Sequence, residues 1–447
     1  MYLDGNPFER NLFSLILLVA LIVAFTRGSR IVKVLKGNWP LLLFIGYCAV
    51  SLTWSDYPSV GFKRWTKLVG DLLMVLIVVT DVDPSGAFDR LMSRTAYVIV
   101  PVSILFIRYY PELGRGYDPW TGTAHWTGVT QNKNSLGMIC MIVGLAELWR
   151  VIRELRKEKA DRRKGVLLAN GVIVVFVVYL LHMANSATST TCFLLAGSLM
   201  VAMSFSSVAR KPVMTHLLTA GMISLAACAA FFDFAGLVQD LGRKADLTGR
   251  TLVWSAALSQ PVSRLLGAGY ESFWLGDRLA NVEKITGVFL NEAHNGYIEI
   301  LVNLGWVGVT LLALLILTGY WRISRAILRN PMADYRGLAF FVAAVIYNYT
   351  EAAFKMTVPV WICFVWAIVS ASPAAALAYS GVTSTELTSD VPGTQFRPGG
   401  LSARGLYPAT DLKPAVSRGV RRPSPSSGNN DEPNRLQPGA KRGYVKS

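Results

Sequence analysis

Long apolar stretches alternate with short polar connectors along most of this chain. The stretches run about 15 to 22 residues, close to the roughly 20 that a helix needs to cross a hydrocarbon core. Eleven are legible, at about 11–26, 39–54, 65–80, 93–108, 134–149, 165–182, 188–206, 213–235, 297–320, 336–353 and 357–378. Each predicts one membrane helix. The pattern breaks twice: a polar, glycine-punctuated segment occupies 236–296, and from 379 to 447 the chain turns to Ser, Pro, Gly and Arg. The tail carries too few large apolar residues to bury and is expected to be disordered. The first run lacks a basic flank and a small-residue cleavage site, so it reads as a retained span rather than a signal peptide.

Composition sharpens this picture. Of 447 residues 52% are hydrophobic and 16% charged, and mean hydropathy is +0.40. Soluble domains carry about a quarter charged residues. The net charge of +16 invites a nucleic-acid reading, but its distribution excludes one. Basic clusters follow the first span (Arg27, Arg30, Lys33, Lys36), the fifth (Arg150 to Lys164), the seventh (Arg210, Lys211) and the ninth (Arg322, Arg325, Arg329). All of these connectors fall on one side, which the positive-inside rule makes the cytoplasm. The expected fold class is therefore an all-α polytopic membrane protein with about eleven transmembrane helices. Spans one to eight lie in 1–235 and nine to eleven in 297–378, with 236–296 a large periplasmic loop and 379–447 a cytoplasmic tail. Five cysteines sit in apolar runs without a CxxC, which argues against a disulfide framework or zinc site. The tail's basic residues suit anionic headgroups.

Several polar residues stand at membrane depth or at its edge, where ionisable groups are functional candidates. Lys67 and Asp71 share a helix face four apart and can pair; Arg64, nearer the outer surface, can touch an anionic ligand. The loop 109–133 mixes aromatics, glycine and amides in a manner that suits carbohydrate, although Trp120 and Trp126 also fit a membrane interface. Lys133 at the mouth of the fifth span is either a snorkelling anchor or a phosphate contact. His182 reads as a hydrogen-bonded turn residue.

The segment Ala245–Gly308 concentrates the chemistry. Thr248 can cap a helix through Leu252, Trp254, Ala257 and Leu258 that stops at Gln260-Pro261. Arg250 then lies in the first turn, where an anion would relieve the clash between its charge and the helix dipole; pairing with Asp246 is the alternative. His294 opens the ninth span, on a stripe with Tyr297, Leu301, Gly305 and Gly308, whose glycines are expected to admit another helix. It is the histidine best placed for general-base work, or else a structural interfacial residue.

Three stretches carry a resemblance: GVTQNKNSLG (128–137), LTGRTLVW with LLGAGYESFW (247–274), and HNGYIEILVNLGWVG (294–308). Over most of 40–375 the chain resembles the O-antigen ligase and exopolysaccharide polymerase superfamily, in particular the ExoQ-like, Wzy-type polymerases. The resemblance implies a GT-C-type membrane glycosyltransferase in the bacterial inner membrane, using undecaprenyl-diphosphate-linked glycans at the periplasmic face with neither metal nor cofactor. It makes Arg250 the diphosphate ligand and His294 the base or the orienter of that diphosphate. Glu351, in the polar step with Asn348, is the base itself or a partner behind it, unless it pairs with Lys355. Ligases of this group carry a second arginine near the turn occupied here by NSATSTT, which has none. That leaves the second phosphate ligand to Arg64, Lys133 or Arg264. Asn295 and Tyr297 complete the expected substrate-binding set with Arg64, Lys133, Arg264 and Asn348.

The expected reaction is polymerisation of lipid-linked repeats, single-displacement and inverting. Glu271, Glu283 and Glu292 are the carboxylates a covalent route would need. The alternatives are an O-antigen ligase acting on lipid A-core and a lipid-linked sugar transporter or flippase. Membrane lipid, a flippase, a chain-length regulator and export proteins are implied as partners; nucleic acid is not.

Overall fold

The computed structural model describes residues 7–117, 124–209, 211–231, 247–329, 334–373 and 375. The tail and the whole of 232–246, Asp246 included, lie outside them. Each of the eleven apolar stretches falls on a helix, because an apolar run with no water to bond its backbone must satisfy its own N–H and C=O groups. The helices are α1 (Pro7–Thr26), α2 (Gly28–Gly37), α3 (Trp39–Val50), α4 (Pro58–Val79), α5 (Pro84–Tyr109), α6 (Lys133–Leu155), α7 (Lys164–Ala184), α8 (Ala187–Ser204) and α9 (Pro212–Phe231). After them come α10 (Leu247–Leu258), α11 (Gly276–Thr286), α12 (Gly296–Arg329), α13 (Arg336–Tyr347) and α14 (Pro359–Ser370). Two three-residue strands, β1 (Arg115–Tyr117) and β2 (Ala124–Trp126), pair antiparallel within the predicted carbohydrate-suited loop.

By length and apolar character α5, α6, α7, α8 and α12 can each cross a membrane, and α1 with α2, bent by 94°, makes six if taken as one broken span. This is the build of a polytopic membrane protein. Helix α4 is long enough, but Lys63, Arg64, Lys67 and Asp71 dilute it as far as its fourteenth residue. Helices α13 and α14 have 12 residues each, about 18 Å at 1.5 Å per residue, short of the roughly 30 Å core. The predicted spans 336–353 and 357–378 overran because 348–358 is an irregular connector between them. It is polar in part and mostly enclosed, with Asn348, Glu351, Ala353 and Phe354 all buried. Irregular backbone at such depth persists only where protein covers it.

Helix α6 is the hub, packed against α5, α7, α8, α13 and α14. At Gly144 an added Cβ would lie 2.6 Å from Val177 and 2.9 Å from Phe193, so glycine is what lets α7 and α8 close on the hub. Helix α12 is broken at Gly305, whose φ of 65° leaves the helical region. The sequence pattern suggested that Gly305 and Gly308 admit another helix; a loop approaches instead. Trp306 N–H donates to Arg264 O at 3.0 Å and Val307 N–H to Leu265 O, while Ala268 and Gly269 donate back to Val302 O and Asn303 O. The break frees backbone groups, and the 264–269 strand of chain satisfies them. Gly308 faces Leu304 and Ile300 of its own helix.

The segment after α9 folds as a cap with its own small core, where Val253, Ala256, Phe273, Trp274 and Val282 gather against Ala293 and Val302. Helix α10 matches the predicted capped helix, ending two residues before Gln260, but it begins at Leu247, so Thr248 lies inside its first turn.

Candidate functional site

Arg250, His294 and Glu351 come together, although α10, the stretch before α12 and the connector after α13 supply them separately. Three backbone joints make this happen. Gly296 N–H donates to Asn348 O at 2.9 Å and Glu351 O at 3.1 Å, tying the start of α12 to the connector. A Cβ at 296 would fall 1.8 Å from Asn348 Oδ1, so the joint requires glycine. Trp254 Nε1–H donates to Ala293 O at 2.8 Å and so fixes α10 to the residue before His294. Glu299 Oε1 takes the Ala293 N–H at 2.7 Å, while its other oxygen accepts from Trp274 and Asn303.

Glu351 is the centre of a charged network. Its Oε1 accepts from Arg250 Nη2 at 3.3 Å and from Asn134 Nδ2 at 3.2 Å; its Oε2 lies 3.5 Å from His294 Nδ1. Arg250 Nη1 also donates to Thr350 O at 2.5 Å. Glu292 Oε1 approaches His294 Nδ1 at 3.1 Å, and its Oε2 binds Lys355 Nζ. The alternative in which Glu351 pairs with Lys355 is not what the structure holds: Lys355 goes to Glu292 and Arg250 to Glu351. The clash between Arg250 and its own helix dipole is answered by this carboxylate.

The electrostatics follow from these contacts. Interaction with Glu292 first, then Glu351, outweighs burial and lifts the His294 imidazole to about 9. Burial would raise the Glu292 carboxyl, but His294 and Lys355 overcome it and hold the group at about 2. Burial would lower the Lys355 ammonium; Glu292, Glu271 and Glu299 raise it instead. His294 is thus a cation at neutral pH.

These side chains face a cavity of about 740 Å³, whose wall includes His125, Trp126, Lys133, Asn134, Asn185, Glu292, His294, Glu351 and Lys355. The aromatic loop contributes through β2, with Arg115 stacked 4.4 Å over the Trp126 ring; Trp120 lies outside the described residues. Lys133 opens α6 with Asn132 as its cap, is exposed, and has no ion pair within 4 Å among the described residues. In the wall Lys133, His294 and Lys355 outnumber the two carboxylates, Glu292 and Glu351, while Arg250 is not part of the wall and reaches it through Glu351. An anion fits that excess.

Other expected site residues stand behind the wall. Asn295 caps α12, accepting from Tyr297 N–H at 3.0 Å and Ile298 N–H at 3.1 Å. Tyr297 donates its hydroxyl to Val345 O, and buried Asn348 accepts from Ala353 and Phe354 N–H. Arg64 donates to Glu271 O, below the cap. Arg264 is exposed beside the break in α12, about three turns along the helix from His294. Nor do Lys67 and Asp71 pair: Lys67 is exposed, and Asp71 Oδ2 accepts from Thr357 N–H at 2.7 Å, holding the connector.

Asn134 and Lys355 also belong to the network, Asn134 as a partner of Glu351 and Lys355 as the partner of Glu292. Asn134 lies within the 128–137 motif, which was signal enough to find it. The Lys355–Glu292 contact spans 63 positions and leaves no local signature.

Glu292, His294 and Glu351 also bring donor atoms within 4.8 Å of one another, a spacing a metal ion could use. Each carboxylate already faces a fixed cation, so the donor set is balanced as an ion-pair network and does not fit a metal centre.

Four non-glycine residues among those described have positive φ: Asn185, Glu271, His294 and Thr357. Asn185 and His294 line the cavity, Thr357 precedes its Val358, and Glu271 lies close enough for the Lys355 charge to act on it. Backbone held in this region clusters at functional sites.

The chain is 24% identical over 327 residues to the exopolysaccharide production protein ExoQ of Rhizobium meliloti (strain 1021), a match covering 70% of this chain and 72% of that one. No protein-family model matches the chain. The likeness to ExoQ supports the resemblance carried by the three motifs.

Proposed function

We propose that this protein is a membrane glycosyltransferase that polymerises undecaprenyl-diphosphate-linked repeat units into exopolysaccharide. The observation that carries the reading is that Glu351 joins Arg250 to His294 beside a cavity whose wall has an excess of positive charge. A diphosphate leaving group brings its own activation, so the protein must hold two glycans in register and stabilise departing negative charge. The kinship to ExoQ supplies the polysaccharide context.

The cavity lies at the start of α6 and α12, and the basic clusters lie at their far ends, after Leu155 and over Arg322, Arg325 and Arg329. Under the positive-inside rule this turns the cavity to the periplasm and the tail to the cytoplasm of the inner membrane. In the transfer step the acceptor hydroxyl oxygen bonds the anomeric carbon as the bond to the diphosphate oxygen breaks, inverting that carbon. Its proton goes to a carboxylate. Glu351, which lines the cavity between Arg250 and His294, takes that role. No metal ion takes part in this scheme.

The test is elongation by the purified protein in vesicles supplied with two lipid-linked repeats and no ion gradient. Longer lipid-linked chains support the reading. Translocation without elongation would make the protein a flippase, and transfer only to lipid A-core would make it a ligase.

A further inference from the structure

His294 presents two different edges. Its Nδ1 is fully enclosed and sits between Glu292 Oε1 at 3.1 Å and Glu351 Oε2 at 3.5 Å, aligned for a hydrogen bond with neither. The side chain as a whole is 35% exposed and lines the cavity. With Nδ1 covered, that exposure belongs to the opposite edge of the ring, which carries Nε2. The backbone enforces the arrangement: His294 is left-handed, Asn295 caps α12 behind it, and Ala293 is pinned on both sides by Trp254 and Glu299.

Building on the glycosyltransferase reading, we propose that Glu292 is a positioning residue. With Glu351 it occupies the Nδ1 edge of His294 and leaves Nε2–H as a cationic donor to a phosphate oxygen of the departing lipid diphosphate. Lys355 keeps Glu292 ionised by direct contact. The charged and titratable groups around the ring are Glu292 on its own segment, Glu351 and Lys355 on the connector, Arg250 on α10 behind Glu351, Lys133 on α6, His125 on β2 and the buried phenol of Tyr347 on α13. Of these, the two carboxylates make the close contacts, and both favour the imidazolium. A neutral imidazole would have one nitrogen to donate and would satisfy only one edge. The doubly protonated ring serves both at once. Glycosyl transfer to the acceptor then needs no proton from His294, and the departing diphosphate keeps its negative charge against a fixed cation.

Titration of His294 followed by histidine NMR tests this, using the full-length protein in detergent with ¹³C,¹⁵N-histidine and H294N to assign the signal among four histidines. In the wild type the midpoint should lie near 9, and in E292Q it should fall by about two pH units toward the ordinary 6.5. Elongation by E292Q should drop about tenfold at pH 8 and recover to within about threefold of wild type at pH 6, where the ring protonates without help. E292D should restore part of the pH 8 loss. A merely structural Glu292 would give equal losses at both pH values and an unmoved midpoint, and either result overturns the proposal. Should E292Q fail to fold, wild-type spectra with pyrophosphate decide: a shift at Nε2 alone supports the assignment, and a shift at Nδ1 refutes it. Absence of elongation beside the expected titration would sink the transferase reading while sparing this one.

Discussion

Arg250 Nη2 and Glu351 Oε1 stand 3.3 Å apart although 101 positions separate them in the chain. The contact fastens the cap to the connector between α13 and α14, with side chains only 20% and 10% exposed. Arg250→Ala should therefore remove a ligand for the leaving group and leave Glu351 with a partner missing. We expect elongation to fall by about 10² or more, with membrane insertion intact by fractionation. Near-normal chain length in that variant would end the phosphate role of Arg250.

The same pair should be coupled in stability. Arg250→Gln and Glu351→Gln, alone and together, form a cycle whose non-additivity in detergent melts should be on the order of 1 kcal/mol. Strict additivity would mean that the pair is geometric only.

Gly296→Ala puts a methyl where Asn348 Oδ1 now lies. The connector must move, at a cost of about 1–3 kcal/mol. Because that displacement carries Glu351 away from His294, activity should fall further than the lowered Tm accounts for. A variant with wild-type Tm and activity would refute the joint.

Asp71→Ala strips the acceptor from Thr357 N–H. An amide left without a partner costs about 1–3 kcal/mol. The loss should be read as faster hydrogen exchange in 348–358, with α6 unaffected. Unchanged exchange there would show that Asp71 does not hold the connector.

The pH dependence of stability has a definite sign. His294 is raised from 6.5 to about 9, so its contribution is complete below 6.5 and disappears as pH climbs through about 9. Glu292 is depressed from 4.5 to about 2, so its contribution is complete above 4.5 and disappears as pH falls through about 2. The two windows overlap between 4.5 and 6.5. The Tm difference between wild type and H294N should be greatest there and shrink toward pH 9; a difference that grows with pH would contradict the network.

Much of the fold was legible because hydropathy is a local property: every apolar run became a helix, and α10 ended where Gln260-Pro261 said it would. What failed was length. Residues 348–358 are a short polar step carrying Asn348, Glu351 and Lys355, and a hydropathy pattern averages over so short a step when both flanks are apolar. At the site, Arg250, His294 and Glu351 could be singled out one by one, but their mutual contact could not. Lys67 and Asp71 show why. Helical spacing suggested a pair, yet the buried carboxylate took a backbone amide 286 positions away. Asn295, Tyr297 and Asn348 were conspicuous for their polarity in apolar surroundings, and that polarity serves capping and loop closure.

The left-handed backbone at Asn185, Glu271, His294 and Thr357 also dictates how the site can be probed. Asparagine tolerates that conformation better than most residues, whereas alanine and above all the β-branched residues oppose it. An alanine scan of these four positions would mix lost chemistry with a relaxed main chain, and no assay could separate them afterwards. Asparagine at 294 and glycine at 271 and 357 delete the functional group while leaving the chain its present course. The sequence space open to this rim is correspondingly narrow, whatever sugar the protein handles.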